Sequence, residues 1–371
     1  MRKRILIDLL NLSTPEIAGV GVFTRNLFSA WLNKGDLPYA ITCYAISAIQ
    51  PQDLFGFSER SSVHIKKVNI KRLLSRLSYQ QLILPFHLRK YDLYFNPAVG
   101  IPFLARIISP HTKLVVTIHD MTPFYFPKKY TFIRSILVRL LSKYAAKAAH
   151  QVVTVSQNSK NDLMRIASVK SSKIAIVYNF LSPPYALSNA NDNRYFLCIS
   201  TLEPGKNIEN TVRAFAQFKQ EKNFHAYQFY WIGRIGWGIR EQDLKDFIKD
   251  QHVDDSFHLI GYVTESEKKK WLENCTAIVY LSHYEGFGLP VLEGLTYNKP
   301  SIASNVSSLP EVVGETGILC DPLDPVAVAT ALKMMVLHTD GFKAKIPEQV
   351  RRFDPTEQTR VFEQLILSLL N

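Results

Sequence analysis

Short apolar runs alternate with amphipathic segments along the chain, in two successive series. Runs that are apolar on both faces are typical of strands in a buried parallel sheet, and the amphipathic segments between them predict crossover helices. A length of 371 residues fits two domains or one large barrel, and the break between the series favours two doubly wound α/β domains. The predicted strands are residues 5–8, 41–46, 94–95, 114–118, 151–155 and 174–178 in the first series, and 195–199, 229–232, 257–260, 277–281, 301–303 and 317–319 in the second.

A polar, proline-containing stretch at 182–193 separates the two series and predicts a linker. We therefore expect an N-terminal Rossmann-like domain at 1–182 and a C-terminal one at 190–350. A last amphipathic helix at 354–371 is expected to pack back on the N-terminal domain. Because doubly wound sheets bind ligands at the carboxyl ends of their strands, the expected ligand site is the cleft between the two domains.

The composition is that of a globular protein, with 47% hydrophobic and 20% charged residues. No run of about 18 apolar residues is present to span a bilayer, and the amino terminus is typical of a first strand rather than of a signal peptide. The four cysteines lack CxxC spacing. This argues against a zinc site or a disulfide framework and favours a reducing, cytoplasmic compartment.

Positive charge is concentrated in the first half of the chain. Residues 1–185 hold 25 Lys and Arg against 8 Asp and Glu, whereas residues 186–371 hold 19 against 24. Two basic stretches with interleaved apolar residues, 66–90 and 128–147, predict docking on an anionic membrane surface, with a solvated helix face as the alternative. No nucleic-acid partner is expected, because no recognised nucleic-acid-binding motif accompanies the charge.

The segment 280–294 carries the most informative motif. Two glutamates, Glu285 and Glu293, flank a strand-to-helix turn that contains a Gly-x-Gly sequence at 286–288. Glycine permits a tight turn, and Pro290 suits the first turn of a helix. The free N–H groups of that helix start would face an anionic or hydroxyl-rich ligand. Two glutamates at this spacing are a weak signal alone, but the strand, the turn and the proline strengthen it.

This segment resembles the E-x7-E signature of retaining GT-B glycosyltransferases of family 4, with Glu285 and Glu293 in the positions of the two glutamates. Further segments that resemble this family follow in order from about residue 5 to residue 330: they are 19–27, 118–120, 156–163, 200–207, 261–263, 303–314 and 320–324. The resemblance implies a GT-B fold, in which two Rossmann-like domains face each other across a cleft. It also implies that the N-terminal domain binds the acceptor and the C-terminal domain binds a nucleotide-sugar.

Within the C-terminal domain, the resemblance implies roles for the residues of a donor site. Glu293 would bind the nucleotide ribose, and Val263 would contribute from the loop that precedes the motif. Glu285 would hold the hydroxyls of the transferred sugar together with the backbone of the four residues that follow it, which are Gly286, Phe287, Gly288 and Leu289.

Lys206 lies between a predicted strand and a helix, where a lysine and a helix N-terminus can together neutralise a diphosphate. A solvated lysine is the alternative. The family that this chain resembles usually pairs this lysine with an arginine, but the corresponding residue here is Thr201, and Gly205 stands where relatives often carry another arginine. Arg234, which follows the next strand, is the candidate for a substitute cation; otherwise it is a surface loop arginine.

In the N-terminal half, Gly19 and Gly21 lie in a loop before a helix predicted at 23–32. They would permit close approach of the backbone to a phosphate or to the transferred sugar, with an ordinary loop as the alternative. The resemblance implies that His119 contacts the donor sugar. Otherwise His119 is a core histidine with a satisfied hydrogen bond, and Asp120 caps a turn.

The resemblance implies a retaining, metal-independent hexosyltransferase with Glu285, His119 and Lys206 as catalytic residues. No cofactor is expected beyond the nucleotide-sugar donor, and GDP-mannose is favoured because 19–27 and 200–207 look most like mannosyltransferases. The expected acceptor is a glycan or lipid-linked oligosaccharide of a bacterial surface polysaccharide, at the inner face of the plasma membrane. The alternatives are another GT-B enzyme, such as a nucleotide-sugar epimerase or a phosphorylase, and a non-catalytic basic protein that binds membrane or nucleic acid.

Overall fold

The computed structural model of the chain describes residues 2–12, 19–35, 37–47, 50, 54–57, 59, 62–70, 73–129, 131–181 and 193–371. The linker predicted at 182–193 lies outside these residues except for its last position. The chain forms two compact units. The first comprises Met1–Phe124, Tyr130–Phe180 and Asp354–Asn371, and the second comprises Tyr125–Lys129 and Leu181–Phe353.

Strands and helices alternate in both units. The strands are β1 (Lys3–Asp8), β2 (Tyr39–Ile46), β3 (Val63–Val68), β4 (Leu93–Asn96), β5 (Lys113–Thr117), β6 (Gln151–Thr154), β7 (Ile174–Ile176), β8 (Tyr195–Ile199), β9 (Gln228–Ile232), β10 (Phe257–Gly261), β11 (Ala277–Tyr280), β12 (Ser301–Ser304) and β13 (Gly317–Cys320). The α-helices are α1 (Gly19–Leu32), α2 (Leu73–Ser78), α3 (Leu84–Leu88), α4 (Ala105–Ile108), α5 (Thr122–Tyr125), α6 (Phe132–Ala148), α7 (Gln157–Ala167), α8 (Ile208–Phe218), α9 (Glu241–Asp250), α10 (Glu265–Asn274), α11 (Leu289–Thr296), α12 (Leu309–Val313), α13 (Pro325–Lys343), α14 (Ile346–Arg351) and α15 (Pro355–Leu370).

Each unit contains one parallel sheet. In the described part of the chain, the first has seven strands in the order β3-β2-β1-β4-β5-β6-β7, and the second has six in the order β10-β9-β8-β11-β12-β13. The strand order therefore reverses between β1 and β4 in the first sheet and between β8 and β11 in the second. This is the doubly wound topology that the sequence predicts, and such sheets bind ligands outside the carboxyl ends of the strands at the reversal.

Helix α15 belongs to the first unit, together with the strands from the beginning of the chain. Its Phe362 is fully buried, and its ring centroid lies 5.0 Å from those of Trp31 and Phe95. Lys34 and Glu363 add an ion pair at 2.6 Å on the surface of the same unit. The last helix thus completes the hydrophobic core of a domain that begins some 350 residues earlier in the sequence.

The edge strand β3 was not predicted from the sequence. It has no continuous apolar run, and Lys66 and Lys67 interrupt the alternation of its six residues. An edge strand tolerates such residues, since one side of it carries no further strand. Lys66 lies with its ammonium 5.1 Å from the ring centroid of Tyr44 on β2. The basic stretch expected at 66–90 is therefore a strand followed by helices rather than one amphipathic segment, and its Lys71 and Arg72 lie outside the described residues.

The prediction that Gly19 and Gly21 lie in a loop before a helix was wrong. Helix α1 begins at Gly19, so both glycines belong to its first turn. Glycine disfavours a helix by about 1 kcal/mol relative to alanine, but Phe23, Leu27 and Phe28 bury one face of α1 completely. Packing of an amphipathic face supplies most of the stability of a helix in a protein, and here it outweighs the cost of two glycines.

Within the described part of the chain, no helix combines the length and the apolar character that crossing a bilayer requires.

Candidate active site

Lys206 and Glu285 follow the two strands at which the second sheet reverses its order. Lys206 ends the turn Pro204–Lys206 after β8, and Glu285 lies in the loop between β11 and α11. Strands β8 and β11 pair directly, so their carboxyl ends lie side by side. The His283 N–H donates to the Gly205 carbonyl at 3.0 Å. This bond ties the loop that carries Glu285 to the turn that carries Lys206.

Lys206 and Glu285 form an ion pair. The Lys206 Nζ donates to Glu285 Oε1 at 2.5 Å and to the Tyr280 hydroxyl at 3.0 Å. The two side chains are only 16% and 15% exposed. Burial alone would lower the pKa of the Lys206 ammonium, but Glu285 and Tyr280 raise this pKa above its usual value. Lys206 is therefore a fixed positive charge at the carboxyl edge of the sheet.

Two serines from the segment before α12 hold the loop that carries Glu285. The Glu285 N–H donates to Ser307 Oγ at 3.0 Å. The Ser308 hydroxyl lies 3.0 Å from the Glu285 carbonyl oxygen and 2.8 Å from that of Phe287. Backbone groups of an irregular loop need such partners when they are buried. The position of the Glu285 side chain is thus set by two strand ends and by a third loop.

Gly288 starts helix α11 with φ of 108°, a region that glycine enters freely and other residues avoid. A Cβ at this position would lie 2.7 Å from Leu309 Cδ2. Pro290 occupies the first turn of the helix, where its missing N–H leaves no hydrogen bond unmade. The N-terminus of α11 thus follows the Glu285 loop directly, and its free N–H groups and dipole favour a phosphate or sugar oxygen.

Glu293 lies within α11 and has a different partner from Glu285. The Lys268 Nζ on α10 donates to Glu293 Oε1 at 2.8 Å and lies 3.0 Å from Glu265 Oε2. Burial raises the pKa of the Glu293 carboxyl, while the attraction of Lys268 opposes this effect. The two glutamates of the motif therefore belong to two separate ion pairs, one at a strand end and one on a helix.

The other residues predicted to bind the donor lie along the same edge of the second sheet. Thr201 follows β8, Arg234 follows β9 and Val263 follows β10, just as Glu285 follows β11. The Arg234 guanidinium lies 4.5 Å from the centroid of the Tyr262 ring, which is 69% exposed. Arg234 is thus an exposed cation that lies against an aromatic ring.

His119 lies in the first unit, after β5. Its Nε2 donates to the Pro97 carbonyl at 2.9 Å, which leaves Nδ1 as the acceptor nitrogen of a neutral ring. Burial lowers the pKa of His119. The Phe23 ring of α1 meets the imidazole edge-on at 5.0 Å, and Asp120 Oδ1 accepts the Thr122 N–H at 2.7 Å. The hydrogen-bonded histidine and the capping aspartate of the alternative interpretation are therefore both present.

Four residues that shape the site were not predicted from the sequence: Lys268, Tyr280, Ser307 and Ser308. Each acts through a contact between elements that are distant in sequence, and hydropathy patterns carry no such information. No group of three or more His, Cys, Asp or Glu side chains among the described residues is arranged to hold a metal ion.

The chain matches two family models that follow one another along the sequence. Residues 17–183 match Glycosyltransferase Family 4, and residues 186–351 match Glycosyl transferases group 1. The chain is 26% identical over 239 residues to O-antigen chain mannosyltransferase RfbU of Salmonella typhimurium, in an alignment that covers 64% of this chain and 63% of that protein. It is 27% identical over 303 residues to O-antigen chain mannosyltransferase B of Escherichia coli, in an alignment that covers 75% of this chain and 77% of that protein.

A solved structure of Anabaena Alr3699/HepE in complex with UDP and glucose superimposes with a TM-score of 0.73 at 16% identity, over 99% of this chain and 100% of that one. This likeness confirms the predicted GT-B fold. Fold and family models together define the class of the protein, which is a GT-B glycosyltransferase. The chain belongs to glycosyltransferase family 4, with a C-terminal domain of Glycosyl transferases group 1.

Proposed function

We propose that the protein is a retaining hexosyltransferase that moves a hexose or deoxyhexose, with mannose favoured, from a nucleotide-sugar to a glycan or lipid-linked oligosaccharide of a bacterial surface polysaccharide. The ion pair of Lys206 and Glu285 carries this proposal. It puts a fixed cation and a carboxylate where a doubly wound sheet binds its ligand. GDP-mannose is the favoured donor because two relatives are named O-antigen chain mannosyltransferases.

In this proposal Lys206 acts on the leaving group. Negative charge develops on the diphosphate when the bond between the anomeric carbon and the phosphate oxygen breaks. A preorganised cation in a site of low dielectric stabilises such charge strongly, and the N-terminus of α11 adds its dipole. The diphosphate would either pair with the Lys206 ammonium together with Glu285, or displace the Glu285 carboxylate from Lys206.

The remaining residues bind and orient the donor. Glu285 would accept hydrogen bonds from hydroxyls of the transferred sugar, assisted by the backbone of 286–289. Glu293 would accept hydrogen bonds from the ribose. His119 would offer its Nδ1 to a sugar hydroxyl or to the acceptor, because its Nε2 proton is used by the Pro97 carbonyl.

Retention of configuration follows from front-face attack. The acceptor hydroxyl forms its bond to the anomeric carbon on the face from which the diphosphate leaves, and its proton passes to the departing phosphate oxygen. Lys206 and the helix dipole supply the positive charge at the leaving group. We therefore propose that the transfer needs neither a metal ion nor a cofactor.

A donor panel tests this proposal. The purified protein is incubated with GDP-, UDP- and dTDP-sugars that carry a labelled sugar, together with a lipid-linked acceptor, and nucleotide release and label transfer are measured. Transfer of mannose from GDP-mannose in an α-linkage supports the full proposal, and transfer from another donor corrects the sugar alone. A labelled sugar that is isomerised but not transferred would indicate an epimerase. Transfer of the labelled sugar to inorganic phosphate would indicate a phosphorylase. No donor binding at all would favour the non-catalytic protein.

The proposed place of action is the inner face of the plasma membrane, and helix α6 is the proposed docking surface. Its apolar side chains at one end are between 43% and 80% exposed. They are Phe132, Ile133, Ile136, Leu137 and Leu140. Arg134, Arg139, Lys143 and Lys147 accompany them on the same helix. A helix with exposed apolar and basic side chains favours the interface of an anionic bilayer.

A further inference from the structure

The segment Tyr125–Lys129 contacts both loops of the proposed active site. The residues on either side of it belong to the first unit, but these five residues belong to the second. The sequence placed Lys128 and Lys129 in a basic stretch expected to dock on membranes. Lys129 is paired with Glu203 within the second unit.

Tyr125 contacts the loop that carries Glu285. Its ring stacks on the ring of Tyr284 with centroids 3.9 Å apart and an angle of 22° between the planes. Tyr284 is the residue immediately before Glu285, and it is buried whereas Tyr125 is 39% exposed. The stack covers one face of the Tyr284 ring and thereby restricts its orientation next to Glu285.

Phe126 contacts the turn that carries Lys206. Its Cζ lies 3.3 Å from the point that a Cβ on Gly205 would occupy, so the ring lies directly against this glycine. Gly205 is buried and immediately precedes Lys206. A larger residue at 205 would push the Phe126 ring away. The glycine that departs from the family pattern therefore has a packing partner here.

Lys129 contacts the residue that starts the same turn. Its Nζ lies 2.9 Å and 3.1 Å from the two carboxylate oxygens of Glu203. The side chains are 33% and 15% exposed, and pairs near the surface contribute about 1 kcal/mol or less to stability. The three contacts thus fall on residues 203, 205 and 284, close in sequence to Lys206 and Glu285.

We propose that the side chains of Tyr125, Phe126 and Lys129 are positioning residues for Lys206 and Glu285. Charge stabilisation at a leaving group needs its cation within about 0.5 Å of the productive position. Lys206 lies in a single 3-10 turn and Glu285 in a loop, so neither is held by a long helix or strand. The three side chains contact both segments, by packing against residues 284 and 205 and by an ion pair with Glu203. The inference deepens the proposed function, and its kinetic test rests on that function.

The first experiment needs no donor. Purified full-length variants are labelled with acetic anhydride at fixed pH, and the rate of modification at Lys206 is measured by mass spectrometry. Tyr125→Ala and Phe126→Ala should raise this rate at least threefold with an unchanged melting temperature, because a looser turn exposes the ammonium. Tyr125→Phe keeps the stacking ring and should restore the low rate. Lys128→Ala is the matched control, an exposed lysine of the same segment that should have no effect.

The ion pair offers a separate test by exchange of charge. Lys129→Glu and Glu203→Lys should each raise the labelling rate of Lys206, and the double variant should return it to within twofold of the wild type. Unchanged labelling in the Tyr125, Phe126 and Lys129 variants would overturn the inference. Faster labelling of Lys206 would also overturn the inference if it accompanied a fall in melting temperature and if neither Tyr125→Phe nor the charge exchange restored the low rate.

The second experiment measures turnover with the donor that the panel identifies. Phe126→Ala should lower kcat about tenfold in the wild-type background and less than twofold in a Lys206→Ala background, because residues that act through one another are not additive. Equal losses in both backgrounds would mean that Phe126 does not act through Lys206. If the wild type turns over no donor while Lys206 labelling responds as expected, the proposed function fails and the positioning role stands.

Discussion

The ammonium of Lys206 and the carboxylate of Glu285 lie 2.5 Å apart at the carboxyl ends of two paired strands. Each charge offsets the cost of burying the other, and removal of one leaves its partner buried without compensation. In the proposed reaction, the pair would therefore hold the lysine in one place before negative charge develops on the leaving group. That is the condition under which an electrostatic contribution to catalysis is largest.

Lys206→Ala should lower turnover by about 100-fold or more, as loss of a preorganised charge at a leaving group does. Steady-state nucleotide release measures the effect. Lys206→Arg keeps the charge in a different shape and should retain more activity than the alanine variant. Near wild-type turnover of Lys206→Ala would remove the catalytic role from this lysine, and Arg234 would become the next cation to test.

Glu285 and Glu293 should differ in which step they affect. Glu293→Ala should weaken binding of free nucleoside diphosphate, because ribose contacts exist in both ground and transition states. Glu285→Gln should lower kcat and leave the affinity for free nucleotide unchanged or higher, because Glu285 is proposed to bind the transferred sugar and its carboxylate is paired with Lys206. Calorimetry with free nucleotide beside steady-state kinetics separates the two effects.

Lys268→Met is the companion variant for Glu293. It should weaken nucleotide binding in the same direction as Glu293→Ala, because Lys268 orients this carboxylate. Normal binding and turnover in both Glu293→Ala and Glu285→Gln would remove the motif from the site. Reversed effects of these two variants would keep the enzyme class while discarding this placement of the donor.

The central elements of the fold could be predicted because their signals are local. The last helix, predicted at 354–371, forms over Pro355–Leu370 as α15, and most buried strands agree with their predicted bounds within two residues. A run of apolar residues needs no knowledge of its neighbours to be recognised as a buried strand. The edge strand β3 and the start of α1 were missed. Lys66 lies against Tyr44 on the neighbouring strand, and packing of the apolar face of α1 stabilises its start.

The candidate site could be predicted only where a motif marks it. The sequence identifies Glu285, Glu293 and Lys206 by their positions after strands and near helix starts. It does not identify the side chains that contact them. Lys268 holds Glu293, and Tyr284 meets Tyr125, across 25 and 159 positions of sequence that no local pattern connects. The contacts that fix the geometry of the site are therefore visible in the structure alone.

Gly294→Ala should destabilise the second unit. A Cβ at Gly294 on α11 would overlap the side chain of Ile278 on β11, so the helix or the isoleucine would have to move at a cost of about 1–3 kcal/mol. Turnover should fall as well, because α11 carries Glu293. Gly341→Ala is the matched control: it lies in α13 with open space around it and should stabilise by about 0.5–1 kcal/mol. Thermal unfolding of both variants measures these effects. A wild-type melting temperature for Gly294→Ala would contradict the expected overlap with Ile278.

Acidification should destabilise the first unit, partly through His150. Its Nδ1 accepts the Leu114 N–H at 2.9 Å, and burial, helped by nearby positive charges, lowers the pKa of His150 to about 4. The unfolded chain binds this proton near pH 6.5 and the folded chain does not. The stability is therefore complete above about pH 6.5 and is lost as the pH falls towards 4. Between pH 7 and 5, the urea concentration at the midpoint of unfolding should fall less steeply in His150→Asn than in the wild type. The control His111→Gln, at an exposed position, should keep the wild-type slope. Equal slopes in all three proteins would exclude His150 as a source of the pH dependence.

The proposed membrane surface should respond to lipid charge and to salt. Co-sedimentation with vesicles should rise with the fraction of anionic lipid and fall as the ionic strength increases, because basic residues contribute about 1 kcal/mol each near such a surface and salt screens them. Phe132→Ser with Ile133→Ser should lower binding at least fivefold, because both side chains are highly exposed and apolar. Leu337→Ser is the matched control, an equally apolar exposed residue on α13 of the second unit, and should leave binding unchanged. Equal binding to neutral and anionic vesicles, or an equal loss in the Leu337 variant, would mean that helix α6 is not the docking surface.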